Sequence, residues 1–216
     1  MTDFYCEGIL FDLDGVLIDS DAVFDKHWQR WAAQKQVSFA HIAAVHHGIP
    51  AIRTIGIVAP HLDAAAEAEE FERIASTDMQ GLRAFDGAYE LLDALPKRKW
   101  AIATSSPRSM AIPRLEFLGL PVPDAVITID DVRQGKPAPD PYIEAARALG
   151  LAPNRCIVIE DAPAGIEAAR TAGATVIAVA STNRPEALAE ADAMVMSLRQ
   201  IAITVYRKKI LVRTDS

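Results

Sequence analysis

Four short segments of this sequence carry side chains that could hold a metal ion or transfer protons. They contain the carboxylates of Asp12 and Asp14, the hydroxyls of residues 104–106, the amine of Lys136, and the acidic pair at 160–161. Each segment ends an apolar run or follows one closely. Clustered carboxylates repel one another unless a cation lies between them, and hard oxygen ligands suit Mg²⁺. If the segments converge, the sequence predicts a Mg²⁺ site beside a lysine and several hydroxyls.

The pattern of apolar residues explains how these distant segments can converge. It predicts a buried strand at 8–12 and, after Gly87, an alternation of strands (100–103, 125–129, 156–159, 175–179) with helices (89–95, 109–118, 141–149, 164–171). Such alternation is typical of an open parallel sheet covered by helices, in which the ends of the strands share one edge. The predicted fold class is therefore α/β, with a doubly wound, Rossmann-like parallel sheet as its core.

Residues 16–83 have a different pattern. Apolar residues recur there at helical spacing over 19–36, 40–45, 51–58 and 64–80, and no strand pattern lies among them. We therefore expect a helical cap domain, 16–83, inserted into a core domain formed by 1–15 and 84–216. Asp19, Ser20 and Asp21 are interpreted as capping residues of the helix that begins there, and Ser106 as a cap of the helix that follows it. An alternating stretch from 200 to 214 predicts a terminal hairpin that turns near 207–209.

The composition disfavours several classes of function. The 216 residues include 22 Lys and Arg against 29 Asp and Glu, a net charge of −7, so a surface for nucleic acid or an anionic membrane is not expected. The five histidines all lie between 27 and 61, away from the strand ends, which disfavours a zinc hydrolase or a serine triad. Cys6 and Cys156 are expected to be reduced core residues. No apolar run approaches the ~20 residues that span a bilayer, so we expect a cytoplasmic protein. The expected partner is a small molecule, and no feature of the sequence implies a protein partner.

Four motifs resemble those of the haloacid dehalogenase-like hydrolases. They are FDLDGVL at 11–17, the Thr-Ser pair at 104–105, GKPAPD at 135–140 and IEDAPAG at 159–165, in the family's order and across nearly the whole chain. The segment HGIP at 47–50 adds a resemblance to the sugar-phosphatase and glycerol-phosphatase branch. The resemblance implies the doubly wound fold with a helical cap.

The resemblance also implies a role for each core residue. Asp12 would be the nucleophile that forms an aspartyl-phosphate, and Asp14 would protonate the leaving oxygen and then activate water. Lys136 would neutralise charge on Asp12 and on the phosphoryl oxygens. Thr104 and the backbone around Ser105 would hydrogen-bond those oxygens.

The implied cofactor is Mg²⁺, held by carboxylates at the strand ends and by one backbone carbonyl. These implied ligands are Asp12, Glu160, Asp161 and, through its carbonyl, Asp14. In the cap, His47 and Gly48 are expected to contact the substrate. That substrate would be a small phosphorylated metabolite.

These features predict a Mg²⁺-dependent phosphomonoesterase that acts on a small phosphorylated sugar or polyol. One alternative is a phosphosugar mutase of the same fold. Such mutases carry a histidine and an arginine at positions that correspond to Phe24 and Ala51 here, which disfavours this alternative. It stays open because the nearby His27 or Arg53 could replace the missing side chains. A haloacid dehalogenase is disfavoured because that branch does not need the second acid, Asp14. The alternative from another class is a non-catalytic protein that binds phosphosugars.

Overall fold

A computed structural model describes residues 1–207 and 209–215. The strands are β1 (Thr2–Cys6), β2 (Gly8–Phe11), β3 (Ile18–Asp19), β4 (Arg83–Ala84), β5 (Trp100–Ala103), β6 (Val126–Ile127), β7 (Cys156–Glu160), β8 (Thr175–Val179), β9 (Ala193–Val195), β10 (Ile201–Tyr206) and β11 (Lys209–Thr214). The α-helices are α1 (Asp21–Lys35), α2 (Phe39–Ala43), α3 (Ala51–Val58), α4 (Ala64–Ala75), α5 (Ala88–Asp93), α6 (Arg108–Leu118), α7 (Asp140–Ala148) and α8 (Pro163–Ala172).

A six-stranded parallel sheet forms the centre of the molecule. Its order is β6-β5-β2-β7-β8-β9, so the chain winds outward from β2 first on one side and then on the other. In such a sheet, ligands bind at the carboxyl ends of the strands where the winding reverses. Here that point lies at the end of β2, between β5 and β7, and the predicted doubly wound fold is confirmed.

The sheet has a hydrophobic core on each face because side chains alternate along β2. Ile9 and Phe11 join a cluster that includes α5 and α6, whereas Leu10 joins a cluster that includes α7 and α8. The edge-to-face contact between Phe11 and Trp100, with ring centroids 5.9 Å apart, adds packing between β2 and β5. Both cysteines are buried and free, as expected.

Helices α1–α4 lie within the predicted cap and enclose a third hydrophobic cluster, around Trp28, Ile55 and Phe71. The expectation of no strand in this block is wrong, because β3 pairs with β4 in an antiparallel ladder at the boundary. Two-residue strands are too short to give a periodic pattern, which is why the sequence did not reveal them. The division at 15/16 and 83/84 stays a prediction.

Two predicted elements are shorter in the structure. The predicted helix 64–80 ends at Ala75. The predicted strand 125–129 is reduced to β6, because the chain then enters a 3₁₀ turn in which the Asp131 carboxylate accepts hydrogen bonds from the backbone and hydroxyl of Thr128. That polar contact overrides the apolar pattern of the run.

The predicted terminal hairpin is confirmed as β10 and β11. Lys208, within the predicted turn, lies outside the described residues. The N-terminal strand β1 pairs with β11 to complete a three-stranded antiparallel sheet, which local patterns could not predict because the paired residues lie about 200 positions apart. The side chains of Ile210 and Val212 pack into the main hydrophobic core and so attach this small sheet to it. Within 1–207 and 209–215, no helix combines the length and the apolar character that crossing a bilayer requires.

The small sheet should contribute measurably to stability. Ile210→Ala removes a fully buried side chain and should lower the free energy of unfolding by about 3 kcal/mol in urea denaturation. Tyr5→Ala, in the same sheet but 68% exposed, should cost less than about 1 kcal/mol. Equal losses in the two variants would contradict the role of Ile210 in the core.

Candidate active site

Lys136 is fully buried between two carboxylates at the strand ends. Its Nζ lies 2.8 Å from Oδ1 of Asp12, which directly follows β2, and 2.6 Å from Oε1 of Glu160, the last residue of β7. Burial opposes the charge of the ammonium, but the two carboxylates outweigh it and raise the pKa of Lys136 above its ordinary value. The lysine is therefore a fixed positive charge.

Glu160 is held by four hydrogen-bond donors. Oε1 accepts from Lys136 and from the Tyr142 hydroxyl, and Oε2 accepts from the backbone N–H groups of Asp161 and Ala162, which lead into α8. Gly165 on α8 leaves the room that this carboxylate occupies, since a Cβ there would lie 1.6 Å from Oε1. Glu160 thus fixes the position of Lys136.

Asp161 is buried and only partly satisfied. Thr182 donates its hydroxyl hydrogen to Oδ2, whereas Oδ1 has no hydrogen-bond partner among the described residues. Burial, with the nearby charges of Glu160 and Asp12, raises the pKa of Asp161 well above its ordinary value. Such a carboxylate is stabilised by a cation.

The carboxylates of Asp12, Glu160 and Asp161 form a group that fits a metal ion. One oxygen from each lies within 4.8 Å of the others, all three residues are buried, and Lys136 supplies only one compensating charge. Burial raises the pKa of Asp12 to about 7, with Lys136 limiting the rise. A hard divalent cation would offset the remaining negative charge. Glu160 could bind the cation only by giving up a hydrogen bond, so Asp12 and Asp161 are the better metal ligands.

The carboxylate of Asp14 lies outside this group and is held by three other side chains. Oδ1 accepts hydrogen bonds from Ser20 at 2.7 Å and from Nη1 of Arg114 at 2.8 Å, and Oδ2 accepts one from Ser106 at 2.7 Å. The interpretation of both serines as helix caps is wrong. Ser20 makes no side-chain cap although it precedes α1, and Pro107 occupies the cap position of α6. Their hydroxyls donate to Asp14 because it can accept stronger, charge-assisted bonds.

Arg114 was not expected at the site from the sequence. It is fully buried on α6, its Cζ lies 4.6 Å from the centroid of the Phe24 ring, and Nε and Nη2 have no hydrogen-bond partner in the described chain. Its position in the sequence could have revealed this burial. Helical spacing places Arg114 on the same face of α6 as three other buried residues, Met110, Ala111 and Leu115. An arginine on a buried face needs an anionic partner, and here it is Asp14.

The remaining predicted residues line one pocket above the carboxylates. Thr104, Ser105, His47 and Gly48 all contribute to its wall, together with Asp12, Asp14 and Asp161. The Ser105 hydroxyl donates to the carbonyl of Gly48 at 3.0 Å, which joins the loop after β5 to the cap. The pocket therefore has a floor from the core and a roof from the helical block.

A model of the haloacid dehalogenase-like hydrolase family matches residues 6–173, which include the three buried carboxylates and Lys136. The chain belongs to the haloacid dehalogenase-like hydrolases. It is 40% identical to hexitol phosphatase A of Escherichia coli (strain K12) over 204 residues, covering 92% of this chain and 94% of that protein.

A second relative agrees with this membership, and a solved structure shares the fold. The chain is 38% identical to glycerol-1-phosphate phosphohydrolase 2 of Saccharomyces cerevisiae over 187 residues, 80% of this chain and 74% of that one. The crystal structure of a β-phosphoglucomutase from Clostridium difficile matches with a TM-score of 0.76 at 24% identity, covering 90% of this chain and 92% of the other. The latter shows the shared fold.

Substitution of Gly165 tests the packing around Glu160. Gly165→Ala improves helix propensity, yet its Cβ displaces the Glu160 carboxylate and unpairs Lys136, so the free energy of unfolding should fall by about 3 kcal/mol. At Gly56, also within a helix, an added carbon would meet nothing within 4 Å apart from its chain neighbours and the backbone of its own helix, so Gly56→Ala should be neutral or stabilising by up to ~1 kcal/mol. Urea denaturation measures both, and a neutral Gly165→Ala would show that Glu160 is not held as described.

Proposed function

We propose that this chain is a Mg²⁺-dependent phosphomonoesterase that hydrolyses a small phosphorylated sugar or polyol through an aspartyl-phosphate. The observation that carries the proposal is the buried arrangement of Lys136 between Asp12 and Glu160, beneath a pocket at the switch point of the sheet. Relatives that are phosphatases of hexitol and glycerol phosphates support the reaction and the substrate class.

Asp12 is the proposed nucleophile. One of its carboxylate oxygens forms a bond to phosphorus while the bond from phosphorus to the leaving oxygen breaks. Lys136, fixed 2.8 Å from Asp12, favours the ionised carboxylate and offsets negative charge on the phosphoryl group. The hydroxyl of Thr104 and the backbone near Ser105 line the pocket and are proposed to bind the phosphoryl oxygens.

Asp14 is the proposed proton donor and acceptor. In its protonated form it gives a proton to the leaving oxygen in the first step. The resulting carboxylate, which is the form that Arg114 and the two serines hold here, then takes a proton from the water that attacks phosphorus, which releases phosphate and restores both Asp12 and the protonated Asp14. Ser20, Ser106 and Arg114 hold its carboxylate at the pocket wall. These contacts define where the proton is delivered.

Asp12 and Asp161 are the proposed carboxylate ligands of Mg²⁺, with the Asp14 carbonyl and Glu160 as the other candidates. The orphaned Oδ1 of Asp161 and the buried, closely spaced carboxylates support this assignment. Mg²⁺ bound there supplies charge neutralisation and orients the phosphoryl group.

The phosphatase is favoured over a mutase because, among the residues that the structure describes, no lysine or arginine lines the pocket to hold a second phosphate. Neither residue that could have compensated does so: His27 Nε2 lies 2.9 Å from an Asp78 oxygen, and Nη1 of Arg53 lies 3.5 Å from the Lys136 carbonyl, outside the pocket wall. A mutase must retain a bisphosphate intermediate, which calls for cations aimed at its distal phosphate. A non-catalytic binding protein would not need the buried Asp12–Lys136 pair.

Phosphate release from a panel of sugar and polyol monophosphates tests the proposal. Release should require Mg²⁺, stop with chelator, and fall at least about a thousandfold in Asp12→Asn, because an amide cannot form the acyl-phosphate. The control is Asp93→Asn, an exposed carboxylate on α5. Wild-type turnover by Asp12→Asn, or isomer formation that outpaces phosphate release and is stimulated by a sugar bisphosphate, would contradict the phosphatase.

Arg114→Met tests the positioning of Asp14. Loss of one charge-assisted hydrogen bond should lower kcat/KM for glycerol phosphate about tenfold or more. It should lower kcat/KM for 2,4-dinitrophenyl phosphate much less, because that leaving group departs without a proton.

The matched control is Arg108→Met. Arg108 lies on the same helix as Arg114, but its guanidinium is more exposed and is paired with Asp131. It should leave the ratio of the two substrates unchanged. An equal loss on both substrates in Arg114→Met would assign Arg114 to stability rather than to proton transfer.

A further inference from the structure

The cap half of the pocket carries aromatic rings and carboxylates. Phe71 stacks on Trp28 with ring centroids 3.9 Å apart, and Phe24 lies parallel to Phe71 at 6.5 Å. Asp21 and Glu72 line the same half. Apolar walls with a few placed polar groups are typical of sites that bind small organic molecules, and the polar groups set the specificity.

Glu72 differs from the paired glutamates of α4. Glu67 is bound by Lys35 and Trp31, and Glu70 by Arg73. Glu72 is half-buried against the pocket, and its carboxylate has no hydrogen-bond or ion-pair partner in the part of the chain that the structure describes. A partly desolvated carboxylate of this kind gains by accepting a hydrogen bond from a ligand.

The electrostatics of this half disfavour anions. Burial, with a smaller contribution from Asp130, raises the pKa of Glu72 to about 7, and burial raises the pKa of Asp21. Burial also lowers the pKa of His46 to about 3, so this histidine is neutral near pH 7. Neither lysine nor arginine occurs among the described residues that line the pocket.

We propose that Glu72 is a specificity-determining residue that accepts a hydrogen bond from a hydroxyl of an uncharged, polyhydroxylated leaving group and repels leaving groups that carry a second anion. The inference rests on the proposed function and narrows its substrate class. The phosphate end of the substrate lies over the core residues, whereas the far end of a six-carbon chain reaches the cap. A carboxylate at that far end would meet Glu72 with no lysine or arginine among the described lining residues to compensate it, and Nδ1 of His47 in that lining already lies 3.8 Å from Oδ1 of Asp21.

A pair of matched substrates tests this selection. Glucitol 6-phosphate and 6-phosphogluconate share five carbons and the phosphate and differ at C1, which is a hydroxymethyl group in the first and a carboxylate in the second. Wild-type protein should favour the neutral substrate in kcat/KM by at least about tenfold, which is the size of effect expected from leaving one polar group unpaired.

Glu72→Gln keeps the size and polarity of the side chain and removes its charge. Both proteins are assayed at about pH 8, where a carboxyl group with a pKa of about 7 is mostly ionised. In this variant the preference for glucitol 6-phosphate should shrink by about tenfold, mainly through a gain on 6-phosphogluconate. The matched control is Glu69→Gln, which makes the same change on the same helix at an exposed position that does not line the pocket and should leave the preference unchanged.

The outcomes separate this inference from the proposed function. No phosphate release by wild-type protein from these substrates or from glycerol phosphate would overturn both. Release with equal kcat/KM for the two six-carbon substrates, or the same change of preference in Glu69→Gln as in Glu72→Gln, would overturn the role of Glu72 and leave the phosphatase standing.

Discussion

The buried ion pairs of Lys136 are the interaction on which the site depends. Removing one partner from such a group leaves an uncompensated charge in a region without water, which costs several kcal/mol. The chain avoids this by bringing three separate elements together: the end of β2 with Asp12, the end of β7 with Glu160, and the loop that carries Lys136. The parallel sheet brings these elements together, and the absence of a side chain at Gly165 on α8 leaves room for the Glu160 carboxylate.

Much of this arrangement could be predicted from the sequence. The ends of parallel strands share one edge, so apolar runs that end in Asp12 and Glu160 were enough to predict that these side chains meet. The partners of Asp14 could not be predicted, because they depend on rotamers and on the packing of α6 beside a loop that lies 100 positions earlier in the chain. Ser20 and Ser106 precede helices, a position where capping is the usual role. The pairing of β1 with β11 was hidden for a similar reason, since long-range strand pairing leaves no local pattern.

In the function proposed here, chemistry and substrate selection fall to different halves of the pocket. The core half gathers negative charge around Lys136 and a proposed Mg²⁺, which suits attack on a phosphoryl group. The cap half offers aromatic faces and an unpaired carboxylate, Glu72, which suits a neutral leaving group. The hydrogen bond from Ser105 to Gly48 links the two halves directly, so the loop whose backbone is proposed to bind the phosphoryl oxygens also contacts the roof.

The central claim is that Asp12 carries the phosphoryl group during turnover. The most direct test is rapid acid quench of a single turnover with a sugar phosphate and Mg²⁺, followed by peptide mapping with mass spectrometry. The account predicts a transient phosphopeptide that contains Asp12 and decays at the rate at which free phosphate appears. Phosphate release without such a peptide in a quench that preserves acyl-phosphates, or a phosphoryl group on another residue, would contradict it.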